Sequence, residues 1–243
     1  SEPMIMRGVR MVALTFFPLQ WDDANEEYVE NLYFRVDITT LPDRGINEVR
    51  DIIRQPSTGF DILIDKLLVN PPLRDQGSEN HPPGGYLVVA DENAPEAVQE
   101  FIDWKRHVGH RVDLLSIEGQ FIEQNDLREM IQDIYDETGF EFLVFMGTDD
   151  ADPPLHIPMD RDFYDIFYAQ LEGDDILPDV AVGTFNCITE DNFICAIRRS
   201  ISYQYMPYME NTNWFTRAGI GVGACSVPND LSGDGSEAPE LPR

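Results

Sequence analysis

Lysine is nearly absent from this sequence. Lys66 and Lys105 are the two lysines among 17 basic residues, whereas 45 residues are acidic, so the formal net charge is −28 at pH 7. A surface with this charge repels nucleic acid and anionic membranes, and the sequence therefore predicts neither as a partner. The acidity favours solubility. It also fits a salty or calcium-rich exterior, because calcium takes oxygen ligands.

Cysteine is scarce as well. Cys187, Cys195 and Cys225 are too few for a disulfide framework, and we expect them to be buried free thiols. Long apolar runs are missing, which predicts no membrane insertion. The first residues, SEPMIM, contain no signal peptide. They resemble a processed terminus rather than a translation start, so this absence does not argue against secretion.

The sequence lacks a recognisable nucleotide-binding loop. The glycines of Gly219–Ala224 fall at alternate positions, and Val227 and Pro228 stand where a phosphate-binding helix would begin. Without that helix N-terminus there is no dipole and no set of N–H donors for a pyrophosphate.

A catalytic dyad is not evident either. None of the four histidines follows a predicted strand, where α/β sheets bind their ligands; they are His81, His107, His110 and His156. Cys225 ends a predicted strand and is the best nucleophile candidate, although a structural thiol is the simpler interpretation. His107 and His110 supply only two of the ligands that zinc needs. The sequence therefore predicts no catalytic residue in this chain.

The first 70 residues predict a β-rich region. A β-rich run precedes the turn cluster WDDANEEY, and apolar residues alternate with polar ones from Leu32 to Ile38. This pattern on both sides of a polar turn predicts an antiparallel hairpin. Asp61–Val69 fits either a strand or a short helix. Residues 71–85 belong to a stretch rich in proline and glycine and predict a linker.

Residues 86–225 predict an α/β domain with a mainly parallel sheet flanked by helices. Strand and helix patterns alternate, and the strands are continuous apolar runs, as a sheet buried on both faces requires. The predicted strands are Tyr86–Ala90, Arg111–Leu115, Phe140–Met146, Val180–Gly183 and Ala218–Ala224. Helices are predicted to begin after Pro95, Asn125 and Thr189. Residues 226–243 contain glycine, proline, serine and acids, and predict a mobile acidic tail.

Two acidic loops flank the predicted strands of this domain. One follows the third strand and the other precedes the fourth, and both present carboxylates and carbonyls on turns, as calcium sites do. Their spacing does not match an EF-hand. The calcium candidates are Asp149, Asp152, Glu172, Asp174 and Asp175. The alternative is an acidic rim that solvates the strand ends.

The second of these loops lies in a segment with a recognisable pattern. Phe163–Gly183 combines an aspartate, tyrosines, Gly-Asp-Asp, Pro-Asp and a strand that ends in glycine, and it resembles the gingipain-type cysteine peptidases. Further motifs of that family occur in the same order, namely Phe101–Lys105 with Gly109, Phe142–Gly147, and the helix and strand that follow. The resemblance covers roughly residues 84–225. Residues 8–70 are more loosely similar to the end of the β-rich prodomain.

The resemblance implies a caspase-like fold, of which this chain holds the first, non-catalytic subdomain. The catalytic histidine and cysteine would then belong to a downstream subdomain or a second chain, which would be the partner, with polypeptide as the substrate. The terminal Arg243 is consistent with processing. We expect an extracellular or cell-surface protein. The alternative is a non-enzymatic, acidic, calcium-stabilised interaction module.

Overall fold

The structure is a computed structural model, and it describes most of the chain. The described residues are 1–30, 33–37, 39, 45–52, 54, 57–72, 83–117, 122–147, 166–185, 187, 189–207, 209–210 and 212–216. The chain divides into two compact units, Ser1–Tyr205 and Met206–Arg243. In the second unit the described structure is a short 3-10 helix, Thr212–Thr216.

The amino-terminal region contains two hairpins and a helix. Strands β1 (Met4–Met6) and β2 (Val9–Met11) pair antiparallel, as do β3 (Leu19–Asp22) and β4 (Glu27–Glu30). Helix α1 spans Thr58–Leu67, and the Ser57 side chain caps it by accepting a hydrogen bond from the Phe60 N–H. Of the two interpretations of Asp61–Val69, the helix is therefore the observed one.

The predicted hairpin is present, but its second arm differs from the expectation. The turn lies at residues 23–26 and the second strand is Glu27–Glu30, so the chain reverses before the alternating segment. The described part of that segment, residues 33–37, is not strand. The alternation of apolar and polar residues therefore predicted the second strand of the hairpin several residues after its observed position. Glu27–Glu30, the residues directly after the turn, form the second strand instead.

The α/β part follows the predicted alternation of strand and helix. Its elements are β5 (Tyr86–Asp91), α2 (Glu96–His107), β6 (Val112–Ile117), α3 (Gln124–Thr138), β7 (Phe142–Met146), α4 (Ile166–Ala169), β8 (Ala181–Phe185) and α5 (Glu190–Tyr205). Within the described residues, four strands form one parallel sheet in the order β6-β5-β7-β8. The α/β fold with a mainly parallel sheet is confirmed. The strand predicted at Ala218–Ala224 lies outside the described residues.

Both faces of this sheet are covered by helices, which explains why its strands are continuously apolar. One face packs Leu87, Val89 and Phe145 against α3 and α4. The other packs Val88 and Met146 against α2 and α5. Successive residues of one strand point to opposite faces, so each strand contributes to both cores.

Helix ends and faces agree with the sequence in part. Gly139 ends α3 in the left-handed conformation at φ 58°, as predicted. The residue before α3 is Glu123 rather than the expected cap Asn125, which lies inside the helix. In α2 the buried face includes Ala97 and Phe101 as expected, but also Lys105. No helix among the described residues is long and apolar enough to cross a membrane.

Candidate functional site

The acidic segment before β8 forms a buried polar cluster at the end of the sheet where the parallel strands begin, which we call its amino edge. Asp179 is fully buried there. Its Oδ2 accepts hydrogen bonds from the backbone N–H groups of Leu171 (2.9 Å) and Glu172 (2.7 Å). Its Oδ1 accepts one from the backbone N–H of Arg7, at 2.9 Å. This carboxylate thus joins the first hairpin to the loop before β8.

Arg7 supplies the cation of this cluster. It occupies the turn between β1 and β2 at φ 44°, in the left-handed region that non-glycine residues rarely adopt. The residue is 8% exposed, and its guanidinium donates to the carbonyl oxygens of Phe140 and Asp179 at 2.9 Å, and to that of Gly139 at 3.1 Å. These carbonyls lie at the end of α3 and before β7 and β8. Arg7 therefore satisfies backbone acceptors that the α/β part leaves free.

Glu172 is held in a second pair of contacts. Arg54 donates to both of its carboxylate oxygens, from Nε and Nη2, at 2.7 Å each. The Tyr135 hydroxyl donates to Oε1 at 2.6 Å. A bidentate pair of this kind is among the stronger charge-assisted contacts, and here it connects the segment before α1 to the loop before β8. The Tyr135 hydrogen bond connects that loop to α3.

Asp175 anchors the first hairpin from the other side. Its Oδ2 accepts the backbone N–H of Ile5 at 2.7 Å, and its Oδ1 accepts that of Leu177 at 2.9 Å. The backbone N–H of Asp174 donates to the Asn47 side chain at 2.8 Å. The acids of the Gly-Asp-Asp and Pro-Asp motifs therefore bind the amino-terminal region of the same chain.

Burial changes the titration of this cluster. Loss of solvent raises the pKa of Asp179 to about 7, and the nearby Glu172 charge adds to the effect, whereas the three N–H donors oppose it. Burial also raises the pKa of Tyr135 well above its usual value. The hydrogen bond to Glu172 raises the pKa of Arg54, so this guanidinium stays charged.

The predicted calcium ligands are not brought together in the described part of the chain. Asp149 and Asp152 lie outside the described residues. Among the described residues no group of three or more histidine, cysteine, aspartate or glutamate side chains could hold a metal ion. The cation beside Glu172 is Arg54. Calcium binding therefore stays a prediction.

Thiols and imidazoles lie apart in the described structure. His110 lies at the amino edge of the sheet, where its Nδ1 bonds to the carbonyl oxygen of Gly84 at 2.7 Å. Cys187 follows β8, at the opposite edge, and Cys195 is exposed on α5. A strand of five residues separates the two edges by roughly 15 Å. Cys187 and His110 are therefore too far apart to act as a catalytic pair. His81, His156 and Cys225 lie outside them.

Comparison with known proteins identifies the family of this chain. The family model of peptidase family C25 matches residues 79–233, more than half of the chain. The chain belongs to peptidase family C25. Curated C25 relatives include gingipain R2 of Porphyromonas gingivalis strain W83, which is 24% identical over 208 residues, covering 84% of this chain and 28% of the relative. Gingipain R1 of Porphyromonas gingivalis is 24% identical over 210 residues, covering 84% and 21%.

Solved C25 structures resemble part of the chain. A complex of the pro- and mature domains of Porphyromonas gingivalis RgpB matches with a TM-score of 0.44 and 22% identity, over 49% of this chain and 29% of that chain. A crystal structure of the arginine-specific proteinase gingipain R matches with a TM-score of 0.42 and 20% identity, over 49% and 28%. This chain spans about a quarter of the length of the curated C25 relatives it matches.

Sequence patterns did not identify Arg7 and Arg54, the basic residues of the polar cluster before β8. Asp175, Glu172 and Asp179 stood out because they are close in sequence, whereas Arg7 and Arg54 are more than 100 residues away. Arg7 precedes Gly8 in a short hairpin, and nothing in that dipeptide indicates a buried guanidinium. The scarcity of basic residues is the one signal in the sequence, because a buried acid that is paired with a cation must take it from a small set.

Proposed function

We propose that this chain is the amino-terminal, non-catalytic part of a C25 cysteine endopeptidase, whose cysteine–histidine dyad is supplied by the following segment or by a second chain. The observation that carries the proposal is the match of the family model over residues 79–233. The chain covers 28% of the length of gingipain R2 and 21% of that of gingipain R1, so most of a protein of that kind would lie outside the matched part.

The role of this part is to brace the catalytic part. In the proposed enzyme a thiolate of the other part attacks the peptide carbonyl of a polypeptide substrate, and its histidine transfers the proton. The contribution of this chain is a rigid sheet with helices on both faces. Strand β8 is one of the two outer strands of the described sheet, and its exposed residues Ala181 and Gly183 offer an edge on which further structure would pack. An extracellular setting fits the acidic surface.

Reconstitution tests this proposal. The chain is expressed alone, and also together with the segment that its gene encodes downstream, and hydrolysis of a denatured protein substrate is measured. We expect no hydrolysis by the chain alone and thiol-dependent hydrolysis when both parts are present. Hydrolysis by the chain alone would contradict the proposal, and a downstream sequence without histidine and cysteine would exclude the following segment as the source of the dyad.

The matched control removes every thiol from this chain. The triple variant Cys187→Ala, Cys195→Ala, Cys225→Ala should keep the hydrolytic rate of the reconstituted enzyme, because none of these thiols is the nucleophile. Loss of hydrolysis with unchanged circular dichroism would place the nucleophile in this chain. A reconstituted complex that binds calcium but cleaves nothing would favour the interaction module instead.

Calcium stabilisation is a separate part of the proposal. A cation that binds only the folded chain must raise its melting temperature. We expect the melting temperature to fall when a calcium chelator is added, and to recover with excess calcium. An unchanged melting temperature would remove calcium from the proposed function without affecting the peptidase assignment.

A further inference from the structure

A pocket of about 520 Å³ lies at the amino edge of the sheet, between α1 and the starts of β7 and β8. Its walls are mainly apolar and include Phe60, Leu63, Pro83, Phe142 and Ala181. This volume lies within the range of sites that hold small organic molecules. The walls alone would suit many ligands. The residue that distinguishes the pocket is Glu141.

Glu141 places a buried carboxylate against this pocket. The residue is 5% exposed, although it lines the pocket, and two glycines that also line it leave room for its oxygens. A Cβ on Gly84 would collide with Oε2, and a Cβ on Gly59 would lie 3.2 Å from Oε1. The two glycines thus form a cradle for the carboxylate at the base of the pocket.

The carboxylate of Glu141 has no hydrogen-bond donor or cation among the described residues. The contrast with Glu172 is direct, because that residue is 1% exposed and its carboxylate is bonded to Arg54 and Tyr135, whereas the Glu141 oxygens are open to the pocket. An isolated buried charge is costly unless an opposite charge reaches it. A cation that enters through the pocket would supply the opposite charge that the described residues do not provide.

The chemistry of the walls defines this partner. Two free carboxylate oxygens suit a guanidinium, which bonds to both, or an ammonium. The Phe60 and Phe142 rings and the aliphatic wall suit an apolar stem beside the charge. His110 donates from Nδ1 to the Gly84 carbonyl, so this nitrogen is not available to Glu141. We propose that this pocket binds an aliphatic monocation, an alkylguanidinium or alkylammonium group, through Glu141.

Titration of the full chain with small probes tests the proposal. The probes are n-butylguanidinium, n-butylammonium and the neutral n-pentanol, and binding is followed by the backbone amide resonances of Gly84, Glu141 and Phe142. We expect saturable shifts with the two cations, and binding by n-pentanol that is about tenfold weaker or worse. Equal binding of the alcohol, or no shift with either cation, would overturn the proposal.

Two variants and one control locate the binding. Glu141→Gln removes the charge and should weaken cation binding at least about tenfold. Gly59→Ala crowds Oε1 and should also weaken it, while alanine favours the helix that contains it. Glu137→Gln, an exposed acid on α3, removes the same charge elsewhere and should leave binding unchanged. Equal loss in Glu137→Gln would show attraction by net charge only, and would overturn the site.

The source of the monocation is resolved by a second pair of probes. N-acetyl-arginine amide represents a side chain within a polypeptide, and n-butylguanidinium represents a free small molecule. Tighter binding of the amide supports a partner segment that inserts an arginine or lysine. Tighter binding of n-butylguanidinium supports a free ligand. Hydrolysis by the reconstituted enzyme is a separate readout, so this inference and the proposed function can fail independently.

Discussion

The two amino-terminal hairpins are built alike but differ in what they contact. Both are short antiparallel pairs within the first 30 residues. In the first, Ile5 and Met6 are 0% and 2% exposed. In the second, Trp21 is 50% exposed and Tyr28 is 67% exposed, although both are large aromatic residues. Apolar content alone therefore does not decide which hairpin is buried.

The difference lies in polar anchors. The first hairpin donates backbone N–H groups to Asp175 and Asp179, and Arg7 donates from its side chain to carbonyls of the α/β part. The polar contacts of Asp22 in the second hairpin are to its own turn, at Ala24 and Asn25. Docking of the first hairpin thus depends on the carboxylate acceptors of Asp175 and Asp179 in the α/β part. The following predictions test this comparison.

Removal of Asp179 should have the largest effect. Asp179→Ala leaves three buried N–H groups without an acceptor, and we expect the free energy of unfolding to fall by about 4 kcal/mol. Urea denaturation followed by circular dichroism measures this change. The matched control is Asp22→Ala in the second hairpin, which should change stability far less. Equal losses in the two variants would contradict a special role for the buried anchor.

Removal of the guanidinium should be the next largest effect. Arg7→Met keeps the aliphatic stem but leaves the carbonyls of Gly139, Phe140 and Asp179 without this donor, and we expect a loss of about 3 kcal/mol. Hydrogen exchange of the β1 and β2 amides should accelerate together with it. Arg10→Met, an exposed arginine of the same hairpin, is the control and should leave exchange unchanged. Unchanged exchange in Arg7→Met would show that apolar contacts suffice for docking.

The pH dependence of stability should come third. The pKa of Asp179 is about 7 in the folded chain and 3.8 as its ordinary value, so the folded state binds the extra proton between these limits. The stability contributed by Asp179 is therefore full below about pH 4 and is lost as pH rises through about 7. We expect a loss on the order of 2 kcal/mol between pH 5 and pH 7.5.

A non-titrating variant isolates this contribution. Asp179→Asn keeps one acceptor oxygen but has no carboxyl proton, so its unfolding free energy should vary less between pH 5 and pH 7.5 than that of the unchanged chain. Urea denaturation at the two pH values measures the difference. A variant with the same pH dependence as the unchanged chain would assign the titration to another group.

The sequence predicted the α/β part well, because its signals are local. The apolar runs of Tyr86–Asp91 and Phe142–Met146 and the terminal Gly139 each define an element without reference to distant residues. The family was confirmed by the match over residues 79–233, a range that includes these elements.

The polar cluster was less predictable, because it is made by contacts over long sequence distances. Asp179 could be recognised as part of a motif, but its bond to Arg7 spans 172 residues. The sequence suggested that the carboxylates of the Gly-Asp-Asp loop face solvent or a cation, whereas Asp175 accepts backbone N–H groups of the same chain. Hydrophobic periodicity indicates which residues are buried, but it does not indicate which polar groups bond to each other. Burial of a carboxylate is visible only once the chain that covers it is placed.

The smallest effect should come from the second hairpin. Trp21 and Tyr28 form an edge-to-face pair across β3 and β4, with ring centroids 5.0 Å apart, and both rings remain half or more exposed. Trp21→Ala should therefore lower the free energy of unfolding by less than about 1 kcal/mol, since it removes one aromatic contact and no buried donor. Ile5→Ala, in the first hairpin, is the matched apolar truncation and should cost about 2–4 kcal/mol. If Trp21→Ala costs as much as Ile5→Ala, the second hairpin is packed in solution, and the distinction between an anchored and an unanchored hairpin fails.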